Sequence, residues 1–340
     1  MATIHDVAKR ANVSAAAVSY AFNKPHLIKP ETYERILEAA RALDYTPNVF
    51  AQALRGAKTQ MVGLLVPDIR SPYVSAIARA VEDTLNDQEY FAVVASTDGN
   101  PDKELEMIKK LHRRGASSFI VIPIYYGIGP EALEEAHRLI DDGIPFVVGG
   151  HRVDYTKLDT VHFRPQMATR DAVNHLIELG HRDIGFIGTK YSQGLGIYRW
   201  LGYQESLLFH QIPVRPELIK EIDITPEAIK KALSELLTLS QPPTAIFAFN
   251  DLVTSSMLDF CLEQKIAIPE DLSIVGFDYQ TIFQRTTPAI SGIVVSAYEL
   301  GRKTAELLRT RQETPDLPPQ EWLVEYQLAE RDTTAPLEGA

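Results

Sequence analysis

One cysteine in 340 residues excludes an internal disulfide framework. Cys261 lies in LDFCLEQ, which reads as a helix with the thiol on an apolar face, so a buried inert thiol in a reducing cytoplasm is expected. Long apolar runs are missing as well, and no stretch approaches the roughly 18–20 residues that cross a bilayer. The opening MATIHDVAKR is broken at once by His5, Asp6, Lys9 and Arg10, so no export signal and no membrane partner are expected. No strand leads into G-x-G-x-x-G or a P-loop, and GTKYSQGLG has the wrong spacing for either. His-x-x-x-His pairs, cysteine clusters and Ser/His/Asp sets do not stand out. His112, His137, His151, His175 and His181 are scattered over helices and turns, where solvated or capping roles are expected. These absences point away from an enzyme, a metal centre or a resident cofactor.

What is present is an ordinary globular composition, 45% hydrophobic and 23% charged, in a chain too long for one core. The net charge of −11 is unevenly divided: residues 1–60 carry eight Lys/Arg against five Asp/Glu, a net of +3, which leaves −14 for the remainder. A small basic module on an acidic body is one reading, with a polyanion as the module's partner. Chance variation in a short segment is the other, and charge alone does not choose.

The pattern of the first sixty residues is more informative. Thr3-Ile-His-Asp6 is a capping pattern, and Ile4, Val7, Ala8 and Ala11 follow at helical spacing. Asn12 suits the left-handed turn residue, Val13 a core contact, and Ser14 the N-cap of a second helix from Ala15 to Phe22. A third helix starts at Pro30 and carries Ile36, Leu37, Ala40 and Leu43 on one face. TPNVFAQALRGAKTQ follows. Its Val49, Phe50, Ala53 and Leu54 are apolar, but the segment is too short to be a stable helix alone; an ordinary linker is the alternative.

TIHDVAKRANVSAAAVSYAFN, KPETYERILEAARALDYTPN and VFAQALRG together resemble the DNA-binding headpiece and hinge of the LacI/GalR family of bacterial repressors. The resemblance implies that the second helix enters the major groove of a palindromic double-stranded operator. Ala15 and Ala16 match positions that choose the operator in the family. Alanine offers close approach and methyl contact but no bidentate bond to a base. Tyr20 then becomes the direct reader, with Thr3, Ser14, Ser19 and Asn23 among the further DNA contacts. Helix formation and packing are the plain alternatives for Ala15–Ala17 and Tyr20. In the hinge, Leu54 matches the leucine that wedges into a central base step, with Asn48 and Arg55 at backbone or minor-groove edges.

From Met61 onward, MVGLLVPD, FAVVAST, SFIVIPI and PFVVGG alternate with helical segments; after a break near DTVHF, DIGFIG, TAIFAFN and LSIVGFD resume the pattern. Apolar strands joined by helices predict two doubly wound parallel-sheet lobes, with ligands beyond the carboxyl ends of the strands. The expected division is a helix-turn-helix headpiece at 1–46, a hinge at 47–60, lobe 1 at 61–162 plus about 297–322, lobe 2 at 163–296 plus about 323–332, and a tail at 333–340. The closing PAISGIVVSAYELGRKTAELL and EWLVEYQLAERDTT read as a strand and helix returning to the first lobe and one last strand of the second.

The body resembles the family's effector domain, which has the periplasmic-binding-protein fold. That likeness implies that Arg199, Asn250 and Asp278 hydrogen-bond a polyol; the aromatics Tyr73, Tyr125 and Trp200 are candidates to pack on a sugar face, with a purely structural role equally open for each. Strand-end caps and a structural ion pair are the alternatives for the polar trio. Where the family commonly has an Asp-Asn pair, this chain has Phe163-Arg164 before Pro165; Arg164 either recognises an anion such as a sugar phosphate or pairs with the acidic body. The resulting expectation is a cytoplasmic, nucleoid-associated homodimer whose operator affinity responds to a carbohydrate or sugar phosphate. A solute-binding receptor and a Rossmann-like enzyme are the rivals. DTTAPLEGA contains no leucine heptad, hence no coiled-coil tetramer.

Overall fold

The computed structural model describes residues 2–23, 25–45, 59–86, 90–123, 127–150, 157–189, 194–278 and 287–337, the side chains of Asn23, Leu195 and Asp278 excepted. The chain divides into two compact units, Met1–Thr59 and Gln60–Ala340. In the first, α1 (Ile4–Ala11) starts from a reciprocal cap: the Asp6 N–H donates to Thr3 Oγ1 at 3.3 Å, and the Thr3 N–H donates to Asp6 Oδ2 at 2.8 Å. Asn12 ends the helix in the left-handed region, at φ 54° and ψ 52°. α2 (Ala15–Asn23) begins at Ser14, whose Oγ accepts from the Ala17 N–H at 3.1 Å. A 3₁₀ turn at Pro25–Leu27 leads to α3 (Pro30–Ala42). Val7, Val18 and Ile36 close the core, with Ala39 and Ala40 contributed by α3. Leu37, expected on the buried face, is half-buried, because α3 turns Ala39 inward instead. The hinge residues, including Asn48, Leu54 and Arg55, lie outside the described residues.

The second unit holds two six-stranded sheets. The first contains β1 (Met61–Val66), β2 (Phe91–Ser96), β3 (Ser118–Val121), β4 (Phe146–Gly149), β5 (Asp159–His162) and β11 (Glu321–Leu323), in the order β11-β5-β4-β3-β1-β2 and parallel throughout. Alternation along β1 divides its neighbours: Val62, Leu64 and Val66 join one core, Met61 and Leu65 another. α4 (Pro72–Asn86) and α11 (Ala297–Glu313) pack in the first core; α5 (Pro101–Arg113) and α6 (Pro130–Asp141) pack in the second. α4 and α11 meet so closely at Gly301 that a Cβ there would clash with the Ile77 carbonyl.

The second sheet has the order β12-β10-β9-β8-β6-β7, built from β6 (Ile184–Gly188), β7 (Ile219–Glu221), β8 (Ala245–Ala248), β9 (Ser273–Asp278), β10 (Ser291–Val295) and β12 (Tyr326–Ala329). Only β12 runs antiparallel to its neighbour. Its helices are α7 (Pro165–Glu178), α8 (Gly194–Phe209), α9 (Pro226–Leu237) and α10 (Asp251–Gln264). The chain changes sheets three times through very short connections: Phe163-Arg164 after β5, Ser296 after β10, and Val324-Glu325 after β11. No helix among the described residues is long and apolar enough to cross a membrane.

Several expectations change. SGIVV does not return to the first lobe; β10 pairs with β9, and only the following helix crosses. EWLVEYQLA, read as one last strand, is two strands in different sheets, bridged by buried Val324 without Gly or Pro. The break at DTVH is a fully buried strand, polar because its groups have distant partners. The tail is docked at least to Leu337: Thr333 Oγ1 donates to the Ile274 carbonyl at 2.7 Å, and the Leu337 N–H donates to the Leu179 carbonyl at 2.8 Å. His175 and His181, expected in solvated or capping roles, are buried beneath it. His175 Nε2 lies 3.0 Å from Thr334 Oγ1 and His181 Nε2 3.1 Å from the Ala335 carbonyl. Burial holds His181 below the usual histidine range. Cys261 is buried as expected, its thiol pushed up to about 11 by desolvation.

Glu104, on α5, makes stability depend on pH. Its carboxylate is buried and accepts the Gly129 N–H at 3.3 Å, but desolvation dominates and pushes its pKa up to about 7 from 4.5. Because the folded value is raised, the stabilising protonation is complete below about 4.5 and lost as pH rises through about 7. Glu104→Gln keeps the acceptor without the charge. Urea titrations at pH 5 and 8.5 should show the variant gaining on the natural chain at the higher pH by roughly 1–3 kcal/mol. An equal difference at both pH values would show that Glu104 does not titrate in this window.

Candidate functional site

On the headpiece, helix geometry sorts the second helix by exposure. Val18 and Ala21 are buried, Ala15 packs partly on the core, and Ala16 and Tyr20, one turn apart, face outward. Tyr20 is 49% exposed, a large aromatic that the three-helix core does not cover. Thr3 and Ser14 both serve as helix caps, so each fixes the position of the helix it starts. Hydrogen bonds from Thr3 hold the Asp6 carboxyl below the usual carboxylate range. Ser19 is half-buried on the same helix, and the side chain of Asn23 lies outside the described residues.

In the body, β6, β8 and β9 lie side by side and end at one edge. Phe249 and Asn250 follow β8, Asp278 closes β9, and Arg199 reaches this edge from α8. Arg199 is fully buried: its Nη1 donates to the Phe249 carbonyl, and its guanidinium lies 4.3 Å from the Phe249 ring centroid and 3.9 Å from that of Phe277. Phe277 also lies 5.8 Å from Phe163, a residue of the first crossing. The aromatic packing thus runs from the strand ends to the connection between lobes.

Asn250 is buried and caps α10, its Oδ1 accepting the Val253 N–H at 2.9 Å. The helix-cap alternative therefore describes its side-chain oxygen. Trp200 stacks on Tyr203 at 5.5 Å and meets Phe186 edge-on at 5.7 Å, so its half-buried ring is part of the aromatic packing of lobe 2. One residue along a helix rotates the side chain by about 100°, so Arg199 and Trp200 cannot share a direction. Tyr73 is half-buried at the start of α4. Tyr125 and the side chain of Asp278 lie outside the described residues.

Arg164 is exposed at the first crossing, its Nη1 3.9 Å from Met167 Sδ. It borders a cavity of about 300 Å³ whose walls come from both lobes. His162 and Glu321 stand on one side, joined at 2.8 Å; Gln166 and Glu205 stand on the other, joined at 2.6 Å. Apart from Arg164, none of these residues is distinguishable from sequence. Their signal is the proximity of segments 159 residues apart for His162 and Glu321 and 39 apart for Gln166 and Glu205. Among the described residues no group of His, Cys, Asp and Glu is arranged to hold a metal.

Residues 3–48 match the model of the bacterial regulatory proteins of the lacI family, and residues 173–334 that of a periplasmic binding protein-like domain. Over 307 residues the chain is 33% identical to the HTH-type transcriptional repressor CytR of Escherichia coli (strain K12), an alignment covering 90% of this chain and 89% of that protein. A LacI family transcriptional regulator from Enterococcus faecium, solved with bound ribose, superimposes with a TM-score of 0.72 at 27% identity, over 82% of this chain and all of that one. The lac repressor dimer bound to operator and the anti-inducer ONPF gives a TM-score of 0.83 at 22% identity, over 98% and 99% of the two chains, a likeness of fold.

The capping role of Asn250 is measurable. Asn250→Ala strands the buried Val253 N–H and should lower stability by about 1–2 kcal/mol in urea unfolding, whereas Asn250→Ser, which keeps a capping oxygen, should cost only a few tenths. Equal losses would show that the oxygen is not the stabilising group.

Proposed function

This chain belongs to the LacI family of bacterial regulatory proteins, and from that premise we propose that it is a cytoplasmic, dimeric repressor whose affinity for a palindromic operator changes when a sugar or sugar derivative binds between the lobes. The observation that carries the DNA-reading part is the outward pair Ala16 and Tyr20 on a capped second helix. The alanines let the helix approach the groove floor, and Tyr20 supplies the hydroxyl and the ring. Ala15, Ser19 and Asn23 flank them, Thr3 and Ser14 orient the helices, and the hinge contributes Leu54 as the wedge with Asn48 and Arg55 beside it.

The effector part rests on the converging strand ends. Arg199 offers a buried guanidinium beside two rings, and Asp278 closes the neighbouring strand. A polyol hydroxyl suits such a pair, donating to one and accepting from the other. The ribose bound by the Enterococcus faecium regulator supports a sugar here. Tyr73 and Tyr125 stand as its apolar neighbours, and Asn250 contributes through the helix it caps. For the dimer, edge strand β2 leaves Phe91 on one face of the sheet and Val94 on the other, each 44% exposed, an apolar edge that a second copy covers.

Selection of random DNA on the full chain tests the reading. The expected motif is a palindrome with half-sites about 10 base pairs apart and a centre more sharply specified than its outer positions, because a hinge wedge reads deformability while alanines read little. Leu54→Ala should weaken binding to the selected site by more than roughly tenfold while leaving the melting temperature of the effector unit unchanged. Ala16→Gln should narrow the outer preference toward adenine. A motif without a dyad, or one insensitive to both substitutions, would sink the proposal.

A further inference from the structure

We propose that the cavity at the crossing edge is an anion site that takes the phosphate of a phosphorylated ligand and bridges the two lobes. This rests on the reading of an effector-responsive regulator and adds the chemical class of ligand. The cavity has the volume of a small-ligand site, about 300 Å³. Lobe 1 supplies Gly150, His162 and Glu321; lobe 2 supplies Gln166, Arg170 and Glu205, with Arg164 on the crossing itself.

The charges in its wall are unequally engaged. Glu321 is bonded to His162 Nε2 at 2.8 Å, and Glu205 accepts from Gln166 Nε2 at 2.6 Å. The two guanidiniums have weaker contacts: Arg164 has the Met167 thioether at 3.9 Å, and Arg170 Nε lies 3.7 Å from Asp171 Oδ1. That Asp171 carboxylate already accepts the Tyr326 hydroxyl at 2.6 Å. The wall's two Arg and two Glu charges balance, but the carboxylates turn an oxygen to Gln166 and to His162 while the cations retain most of their donors, so what an entering anion meets is directed N–H groups rather than net positive charge. α7 adds to it: its N-cap Arg164 makes no side-chain cap, and Pro165 has no N–H to present. The following N–H groups at Gln166 and Met167 lie at the positive end of the helix. Two forked cations with backbone N–H groups suit the three terminal oxygens of a phosphate monoester, which carries nearly two charges at neutral pH, better than the two oxygens of a carboxylate.

The position has a mechanical consequence. A ligand touching Arg164, Arg170 and Gln166 on one side and the His162 wall on the other spans both lobes, so its affinity differs between arrangements of the lobes. That difference is what shifts an equilibrium.

The experiment uses the full chain in phosphate-free buffer, with inorganic phosphate, glucose 6-phosphate, ribose 5-phosphate and the neutral parent sugars as probes of melting temperature. At about a hundredfold above Kd, a phosphorylated probe should raise the melting temperature by roughly 5 °C. Arg164→Asp and Arg170→Gln should each remove most of that shift, while Lys157→Gln, on the far side of an exposed ion pair with Asp141, should keep it. A sugar phosphate acting well below the concentration at which inorganic phosphate acts identifies an organic ligand; equal action identifies free phosphate, and both support the site. If no phosphorylated probe shifts the natural chain, or the shift survives both arginine substitutions, the anion site is wrong. A neutral sugar that shifts the chain unaided would then leave the sugar-effector reading standing. A phosphate effect lost in the variants, with neutral sugars inert, would keep the anion site and remove the neutral sugar as effector.

Discussion

Asp159 is the group on which the arrangement of the effector unit depends. Its buried carboxylate takes Arg311 Nε at 2.7 Å and Nη2 at 2.8 Å, and its Oδ1 also accepts the Gln320 N–H at 2.8 Å. Arg311 continues outward to the carbonyls of Pro315, Leu317 and Pro318. One ion pair thus fastens the end of α11 and the start of β11 to β5. Each of these elements carries a crossing at its other end, so the pair fixes the three elements relative to one another within the first lobe. A buried carboxylate without its partner costs about 3–5 kcal/mol. Here the bidentate geometry and the additional N–H supply the compensation that burial demands.

With the crossings fixed at one edge, motion between the lobes is confined to a few backbone positions. Phe163 and Val324 are buried, and Ser296 is committed to capping α11. The Val324 N–H donates to the His162 carbonyl at 2.8 Å, which ties the first crossing to the third. The Phe163 ring meets Phe277, and Phe277 carries the Arg199 guanidinium. A rotation of the lobes that moved Phe163 would therefore disturb the packing under the strand ends, and a ligand that repositioned Arg199 would act on the crossing. Packed interiors resist gradual deformation, so such a chain of contacts favours discrete arrangements over a continuum.

How much of this was legible in the sequence follows from where each interaction has its partner. The headpiece helices were legible because their caps are three residues away: Thr3 with Asp6, Ser14 with Ala17. Apolar runs such as MVGLLV and SFIV declared buried parallel strands without help from the rest of the chain. DTVH did not, since Asp159 is satisfied by a guanidinium 152 residues later and His162 by a carboxylate 159 residues later. Polar residues that read as a break are, in place, the inside of a strand. The same distance effect concealed the tail, whose Thr333 and Thr334 complete groups around Ile274, Ser291 and His175. Among the site residues, type and position were legible but direction was not. Trp200 and Arg199 are adjacent in sequence and diverge in space, and Asn250 faces its own helix.

The body is strongly acidic as a whole, and many of its exposed charges are matched locally, as in Arg302 with Glu299 and Glu306 or Arg138 with Asp142. Such exposed pairs contribute little to stability and are screened by salt. Beside such pairs, a guanidinium with weak partners at a cavity stands apart. Arg164 occupies that situation on the first of only three connections between lobes. A charge placed on a hinge acts on the equilibrium between lobe arrangements whether or not a ligand is present, because each arrangement sets its distance to Glu205 and Glu321 across the cavity. Any anion that enters screens those attractions and substitutes its own. On the proposed effector-responsive reading, the coupling between ligand and lobe arrangement is bounded by the difference of these two sets of interactions.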